Sequence, residues 1–255
     1  STLLTFITNK ETPPITMTAI PTLTNDRLPF GCAVVDNLLG GGIERDAITT
    51  IYGPAGTGKT NLALHAVISC VNEGKKVIYV DTEGGFSITR LSQIAKNHQE
   101  ILEQVLFVKP TTFDEQVKAF DDVKTLATSK NVGLIIVDTI SMLYRLERSS
   151  GVEAREFNRE LGVQIVALTK IAREKNIPIL ITNQVYTSFD NGGVHMVGGD
   201  MLKYGSKCLL ELQTLPDGKR KCTLKKHRSL PANGEALYEI TQTGIIGAKT
   251  GFSLF

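Results

Sequence analysis

The sequence predicts an α/β fold, a largely parallel central sheet with flanking helices and a C-terminal antiparallel extension. Two observations carry this expectation. From Asn25 onward short β-rich runs alternate with amphipathic stretches, the pattern of strands joined by crossover helices. After Thr182 the runs become close-spaced and are separated by turn residues, as in antiparallel hairpins.

In chain order, the first 24 residues hold eight threonines and three prolines and show no period that survives the Pro13-Pro14 break. They read as a tail or linker, which leaves 25–255 as one domain. Strands are expected near Ala47 to Tyr52, Val77 to Asp81, Val105 to Val108, Gly133 to Asp138 and Ile177 to Thr182. Between them, Lys59 to Asn72 places Leu62, Ala63, Ala66, Val67 and Cys70 on one helical face. Ala154 to Lys175 does the same with Phe157, Leu161, Ile165, Leu168 and Ala172. A Gly-rich stretch around Gly192, Gly193, Gly198 and Gly199 then leads to runs at Lys207 to Gln213, Lys221 to Lys225 and Ala236 to Ile240. The Pro216, Asp217, Gly218 turn makes the first two of these a hairpin candidate. No internal repeat is visible.

Length and composition agree with one large domain. The chain has 255 residues, 42% hydrophobic and 21% charged, enough apolar material for a sizeable core and too much for disorder over most of its length. Apolar runs stay far below the roughly 18 residues of a membrane helix, and STLLTFITNK lacks the basic stretch and cleavage site of a secretory signal. Cys32, Cys70, Cys208 and Cys222 form no C-x-x-C pair, so buried, reduced thiols and a cytoplasmic setting are expected. A net charge of +2 neither demands nor forbids a nucleic-acid partner.

The strongest chemical signal is Gly53, Pro54, Ala55, Gly56, Thr57, Gly58, Lys59, Thr60, which fits G-x-x-x-x-G-K-[ST] between an expected strand and an expected helix. Such a loop turns backbone N–H groups toward a polyphosphate at a helix N-terminus. Lys59 supplies a point charge to the β and γ phosphates, and Thr60 offers its hydroxyl to Mg²⁺. ATP and Mg are thus the expected cofactors. A metal site of this kind also takes a carboxylate. Asp138 supplies one by ending the run Gly-Leu-Ile-Ile-Val, although an Asp at a strand end is often only a cap. Glu83 follows the second strand beside Gly84 and Gly85, at the sheet end where ligands bind, and is placed to orient a water. A solvated loop glutamate is the alternative.

Leu38-Leu39-Gly40-Gly41-Gly42-Ile43, the segment YVDTEGGFSITRL at 79–91 and ITNQV at 181–185 carry a resemblance. Together they look like the ATPase core of the RecA-type recombinases, in particular the archaeal RadA and short RadB branches, over roughly residues 25 to 246. The resemblance implies a RecA-like P-loop ATPase core. It implies that Glu83 activates water, that Gln184 senses the γ-phosphate at the start of a second DNA loop, and that Arg90 packs on adenine. Two DNA loops would map onto Tyr144 to Arg155 and Val185 to Lys203. The first holds Arg145, Arg148 and Arg155, whose guanidinium forks suit phosphate oxygens. The second holds Tyr186, Phe189 and His195, whose rings could meet unstacked bases. Solvated loop faces are the alternative, and His195 reads more readily as a loop residue than as a metal ligand.

A full recombinase of this type resembles a helix–hairpin–helix DNA domain joined to the core by a linker carrying F-x-x-A. A chain of this length is expected to lack that domain. Phe30 to Ala33 fit F-x-x-A but fall inside the opening of the core, so the match reads as chance. Stable filaments are not expected of this chain alone.

Residues 203 to 228 hold eight basic side chains (Lys203, Lys207, Lys219, Arg220, Lys221, Lys225, Lys226, Arg228) against Glu211 and Asp217. Lys226 and Arg228 occupy a place that resembles where RecA-type ATPases set cations against a neighbour's γ-phosphate. A backbone-phosphate patch and a solvated hairpin are the alternatives. The leading expectation is an ATP-dependent, weakly hydrolysing single-stranded-DNA-binding protein of recombinational repair. It would work beside a RadA-type recombinase and could form a homo-oligomer, with no membrane role. The alternatives are a full strand-exchange core and a KaiC-like signalling ATPase that does not bind DNA.

Overall fold

The computed structural model describes residues 26–129, 131–148, 154–187 and 194–248. The tail expected at 1–24 lies outside them. The described chain opens with β1 (Arg27–Leu28), α1 (Ala33–Leu38) and β2 (Ile43–Glu44). Next come β3 (Ile48–Tyr52), α2 (Lys59–Asn72), β4 (Lys76–Asp81), α3 (Ile88–Ile94), α4 (His98–Glu103), β5 (Val105–Val108) and α5 (Phe113–Ser129). They are followed by β6 (Val132–Asp138), α6 (Met142–Arg148), α7 (Ala154–Lys175), β7 (Ile179–Asn183), β8 (Val185–Thr187), β9 (Val194–Met196) and α8 (Gly199–Gly205). Strands β10 (Cys208–Thr214), β11 (Arg220–Lys226), β12 (Glu235–Thr241) and β13 (Gly244–Gly247) complete it.

Nine strands form one sheet in the order β13-β12-β11-β10-β3-β7-β6-β4-β5. From β10 to β5 neighbours run parallel, and from β10 to β13 they run antiparallel, as the change of texture after Thr182 predicts. Alternate residues of each strand feed opposite faces. Leu134 and Ile136 of β6 join Tyr79, Leu62 and Val67 in one core, whereas Ile135 and Val137 join Phe120, Leu161 and Leu168 in the other. Every residue of β6 is buried, and its near-continuous apolar run is what burial on both faces requires. Each fully buried Leu or Ile contributes about 1.5–3 kcal/mol.

Helices α2 and α7 bury the expected faces: Leu62, Ala63, Ala66, Val67 and Cys70 on one, and Leu161, Ile165, Leu168 and Ala172 on the other, while the side chain of Phe157 lies outside those described. The four cysteines are free and buried. Phe30 is fully buried in this chain's own core, so the F-x-x-A letters present no phenylalanine for docking. No helix among the described residues is long and apolar enough to cross a membrane.

Among the described residues, the two segments expected as loops contain helix and strand. Helix α6 takes Met142 to Arg148 and α7 begins at Ala154, so Arg145, Arg148 and Arg155 all stand on helices. In the second segment β8 pairs antiparallel with β9, Tyr186 opposite His195, and α8 takes residues from Gly199 on. Phe189 lies outside the described residues.

Candidate nucleotide site

The site forms where β3, β4, β6 and β7 end on one edge of the sheet. Chain order sends β3 through α2 to β4, which lies beyond β7 and β6. The strand ends therefore bring residues 53–60, 81–85, 138 and 182–184 together, as expected where an α/β sheet binds ligands.

Residues 53–60 leave β3 and enter α2 through Gly58, whose φ of +100° is left-handed. A Cβ there would sit 2.7 Å from Ile240 Cδ1, the movable end of that side chain, so it is chiefly the backbone conformation that calls for glycine. Lys59 Nζ donates to Gly53 O at 2.8 Å and Pro54 O at 2.9 Å, which folds its stem along the loop. Burial lowers the pKa of Lys59, while Asp138 and Glu83 oppose that shift.

Asp138, buried at the end of β6, accepts from Thr60 Oγ1 at 2.9 Å and Tyr79 OH at 2.6 Å through Oδ2, and from Thr182 Oγ1 through Oδ1. Three donors from α2, β4 and β7 fix the carboxylate orientation. A Cβ at Gly85 would lie 3.8 Å from Thr60 Oγ1 and 3.9 Å from Asp138 Oδ2, so the glycine keeps side chains away from these two oxygens. A hydroxyl and one carboxylate among hard oxygen donors fit Mg²⁺, which completes its shell with phosphates and water. Among the described residues no group of three His, Cys, Asp or Glu is arranged for a metal.

Asp81, which sequence reasoning passed over, organises the next loop. Its Oδ1 accepts from Gly85 N at 3.0 Å and its Oδ2 from Phe86 N at 3.3 Å, closing the turn that carries Glu83. Gln184 Nε2 donates to Glu83 Oε1 at 2.7 Å, and Gln184 Oε1 accepts from Arg145 Nη1 at 2.9 Å. Burial and then the Asp138 charge hold the Glu83 carboxyl above its ordinary range, against the opposing effects of Lys59 and Gln184. A carboxylate with a raised pKa beside a phosphate loop suits a proton acceptor.

Arg90, on α3, reaches α2. Its Nε donates to Asn61 Oδ1 at 2.6 Å, and its Nη1 donates to Gln93 Oε1 and Gln242 O, both at 3.0 Å. Nη2 is buried with no hydrogen-bond partner, and burial lowers the guanidinium pKa. Asn61 and Gln242 were not expected from sequence.

Lys226 and Arg228 have partners within the chain. Lys226 Nζ donates to Lys203 O at 2.6 Å and Ser206 O at 2.8 Å, binding carbonyls at the C-terminal end of α8. Arg228 pairs with Glu44 at 2.8 Å and bonds both Asp46 oxygens, one at 3.0 Å. For Arg148, Arg155 and Tyr186 only the backbone positions on α6, α7 and β8 are described.

Comparison with known proteins gives one consistent result. The family model described as Rad51 matches residues 26–248. The chain is 42% identical over 214 residues to the DNA repair and recombination protein RadB of Methanococcus maripaludis, covering 83% of this chain and 97% of that one. It is 38% identical over 229 residues to RadB of Methanobrevibacter smithii, covering 87% and 96%. A solved structure described as the RadB recombinase superposes with a TM-score of 0.74 at 36% identity, covering 87% of this chain and all of that one.

Proposed function

We propose, starting from the finding that the chain belongs to the Rad51 family and to its RadB branch, that it binds Mg-ATP in the 53–60 loop and couples that state to single-stranded DNA. It is a recombinase paralogue of DNA repair and recombination. In the proposed cycle, Lys59 and the loop N–H groups bind the phosphates, with Thr60 and Asp138 taking Mg²⁺. Glu83 accepts a proton from the attacking water, and Arg90 lies beside the base. The ion neutralises phosphate charge. Slow hydrolysis is proposed, with a RadA-type recombinase as working partner and the cytoplasm, which keeps the four thiols reduced, as setting.

The observation that carries this reading is the hydrogen-bonded line Arg145, Gln184, Glu83. It joins α6 to the water-activating carboxylate through one amide. A γ-phosphate that draws Gln184 away from Arg145 would free that guanidinium for a DNA phosphate. Arg148, Arg155, Tyr186 and Phe189 extend the same proposed surface. The test is fluorescence anisotropy of labelled single-stranded DNA with and without ATP and Mg²⁺ across a salt series. Tighter binding with Mg-ATP, and a salt slope reduced by about 1 in Arg145→Ala, support the reading. Equal affinity with and without Mg-ATP overturns the coupling.

A further inference from the structure

We infer that Tyr238 and Arg220 are positioning residues that set the direction of two N–H groups in the phosphate loop. This rests on reading 53–60 as the nucleotide loop and goes beyond it, because neither residue belongs to the loop motif. Tyr238 stands on β12 and is fully buried, and its hydroxyl donates to Thr57 O at 2.9 Å. Arg220 is its Cα partner on β11, and its Nε donates to Gly56 O at 3.2 Å. Two cross-strand neighbours thus take two consecutive carbonyls of the loop.

A trans peptide is planar, so its C=O and the N–H of the next residue point in opposite directions. Drawing Gly56 O and Thr57 O toward β11 and β12 therefore aims the N–H groups of Thr57 and Gly58 away from the extension, into the phosphate side of the loop. Nothing within 4 Å would meet a Cβ at Gly56, and glycine peptides reorient easily. Outside ties are what can hold these planes before phosphate arrives, reducing the ordering cost of binding. The antiparallel extension therefore acts on nucleotide affinity from behind the loop.

The experiment is titration of a fluorescent methylanthraniloyl-ADP with Mg²⁺ into wild type, Tyr238→Phe, Arg220→Ala and Arg220→Lys. It is accompanied by ATPase kinetics and by thermal melting without nucleotide. Tyr238→Phe keeps the ring and loses only the hydroxyl. The expected result is Kd and KM raised about three- to tenfold, the range of one net hydrogen bond, with kcat at saturation unchanged. Arg220→Ala and Arg220→Lys should weaken binding alike, because the bond comes from Nε. A melting temperature that falls with Kd unchanged would make Tyr238 a core residue only and overturn the inference. Full binding restored by Arg220→Lys would point to charge instead of positioning, with the same consequence for Arg220. If Tyr238→Phe does not fold, surface residue Arg220 carries the test, and an unchanged Kd there refutes it. Wild type that binds no nucleotide would instead sink the loop reading itself.

Discussion

Gln184 reaches across the ends of β7 and β4 to donate to Glu83 at 2.7 Å, so the residue between β7 and β8 holds the carboxylate proposed to accept a proton. The donated hydrogen bond favours the ionised form of Glu83, while burial and Asp138 act against it and prevail. A general base works only when ionised, so the acid limb of hydrolysis should lie above the ordinary glutamate value of 4.5. Gln184→Ala removes one of the influences that lower the pKa and should move that limb to higher pH. A pH profile of the maximal rate for both proteins checks this. A limb that stays in place in the mutant would show that another group titrates.

Glu83→Gln should retain Mg-ATP binding and lose hydrolysis by about 10²- to 10⁴-fold, the usual value of a positioned base. The amide is nearly isosteric and can still meet Gln184, so binding is preserved while proton acceptance is not. Single-turnover hydrolysis beside a binding titration separates the two. Unchanged turnover would move the role away from Glu83.

Lys59→Ala should weaken Mg-ATP binding by about 10- to 100-fold, as expected for one charge-assisted contact, and leave the fold intact. The structure gives the reason for the second half: among the described residues Nζ bonds to Gly53 O and Pro54 O, carbonyls of its own loop, and Lys59 belongs to neither hydrophobic core. Calorimetry with Mg-ATP and a melting curve without it measure both. Equal affinity in mutant and wild type would remove the phosphate site.

The parallel half of the sheet was legible because strands buried on both faces read as apolar runs, and α2 and α7 because each has one clean apolar stripe. Helix α5 escaped because its stripe, Phe113, Gln116, Phe120, Val123 and Ala127, includes a buried glutamine amid dense charge. In the site, Lys59, Thr60 and Asp138 are spelled by local motifs. Asp81 could have been found from its spacing to Gly85, which suits a side chain capping its own turn. Tyr238 meets Thr57 from 181 positions away, and no local pattern encodes such a contact. The same holds for Arg228 and Asp46, separated by 182. The basic segment showed as charge, but its division between helix end, carboxylates and loop depends on how β11 lies against β10 and β12.

Arg228 gives the last expectation, and the sign follows from Asp46. The hydrogen bond from Arg228 lowers the Asp46 pKa from its ordinary 3.8, and burial only partly offsets this. A carboxylate whose folded pKa is depressed stabilises the fold above its unfolded pKa, and loses that contribution as pH falls toward the folded value. Wild type should therefore lose part of its stability below about pH 3.8, and Arg228→Ala should lose less of it there, having less to lose. At neutral pH the substitution acts mainly through Glu44, which is 8% exposed and has Arg228 Nε at 2.8 Å. Arg27 at 3.6 Å and His227 at 3.8 Å remain beside it, the imidazole with a pKa lowered by burial. With Arg27 still paired, taking the nearer of two guanidinium groups from buried Glu44 should cost about 1–2 kcal/mol, whereas the half-exposed Asp46 contact adds at most about 1 kcal/mol. Urea unfolding of both proteins at neutral and acid pH tests this. Stabilities that differ equally at pH 7 and at pH 3 would show that Asp46 does not respond to Arg228. No difference at pH 7 would show that Glu44 finds its balance elsewhere, leaving Arg228 free to act across a subunit boundary.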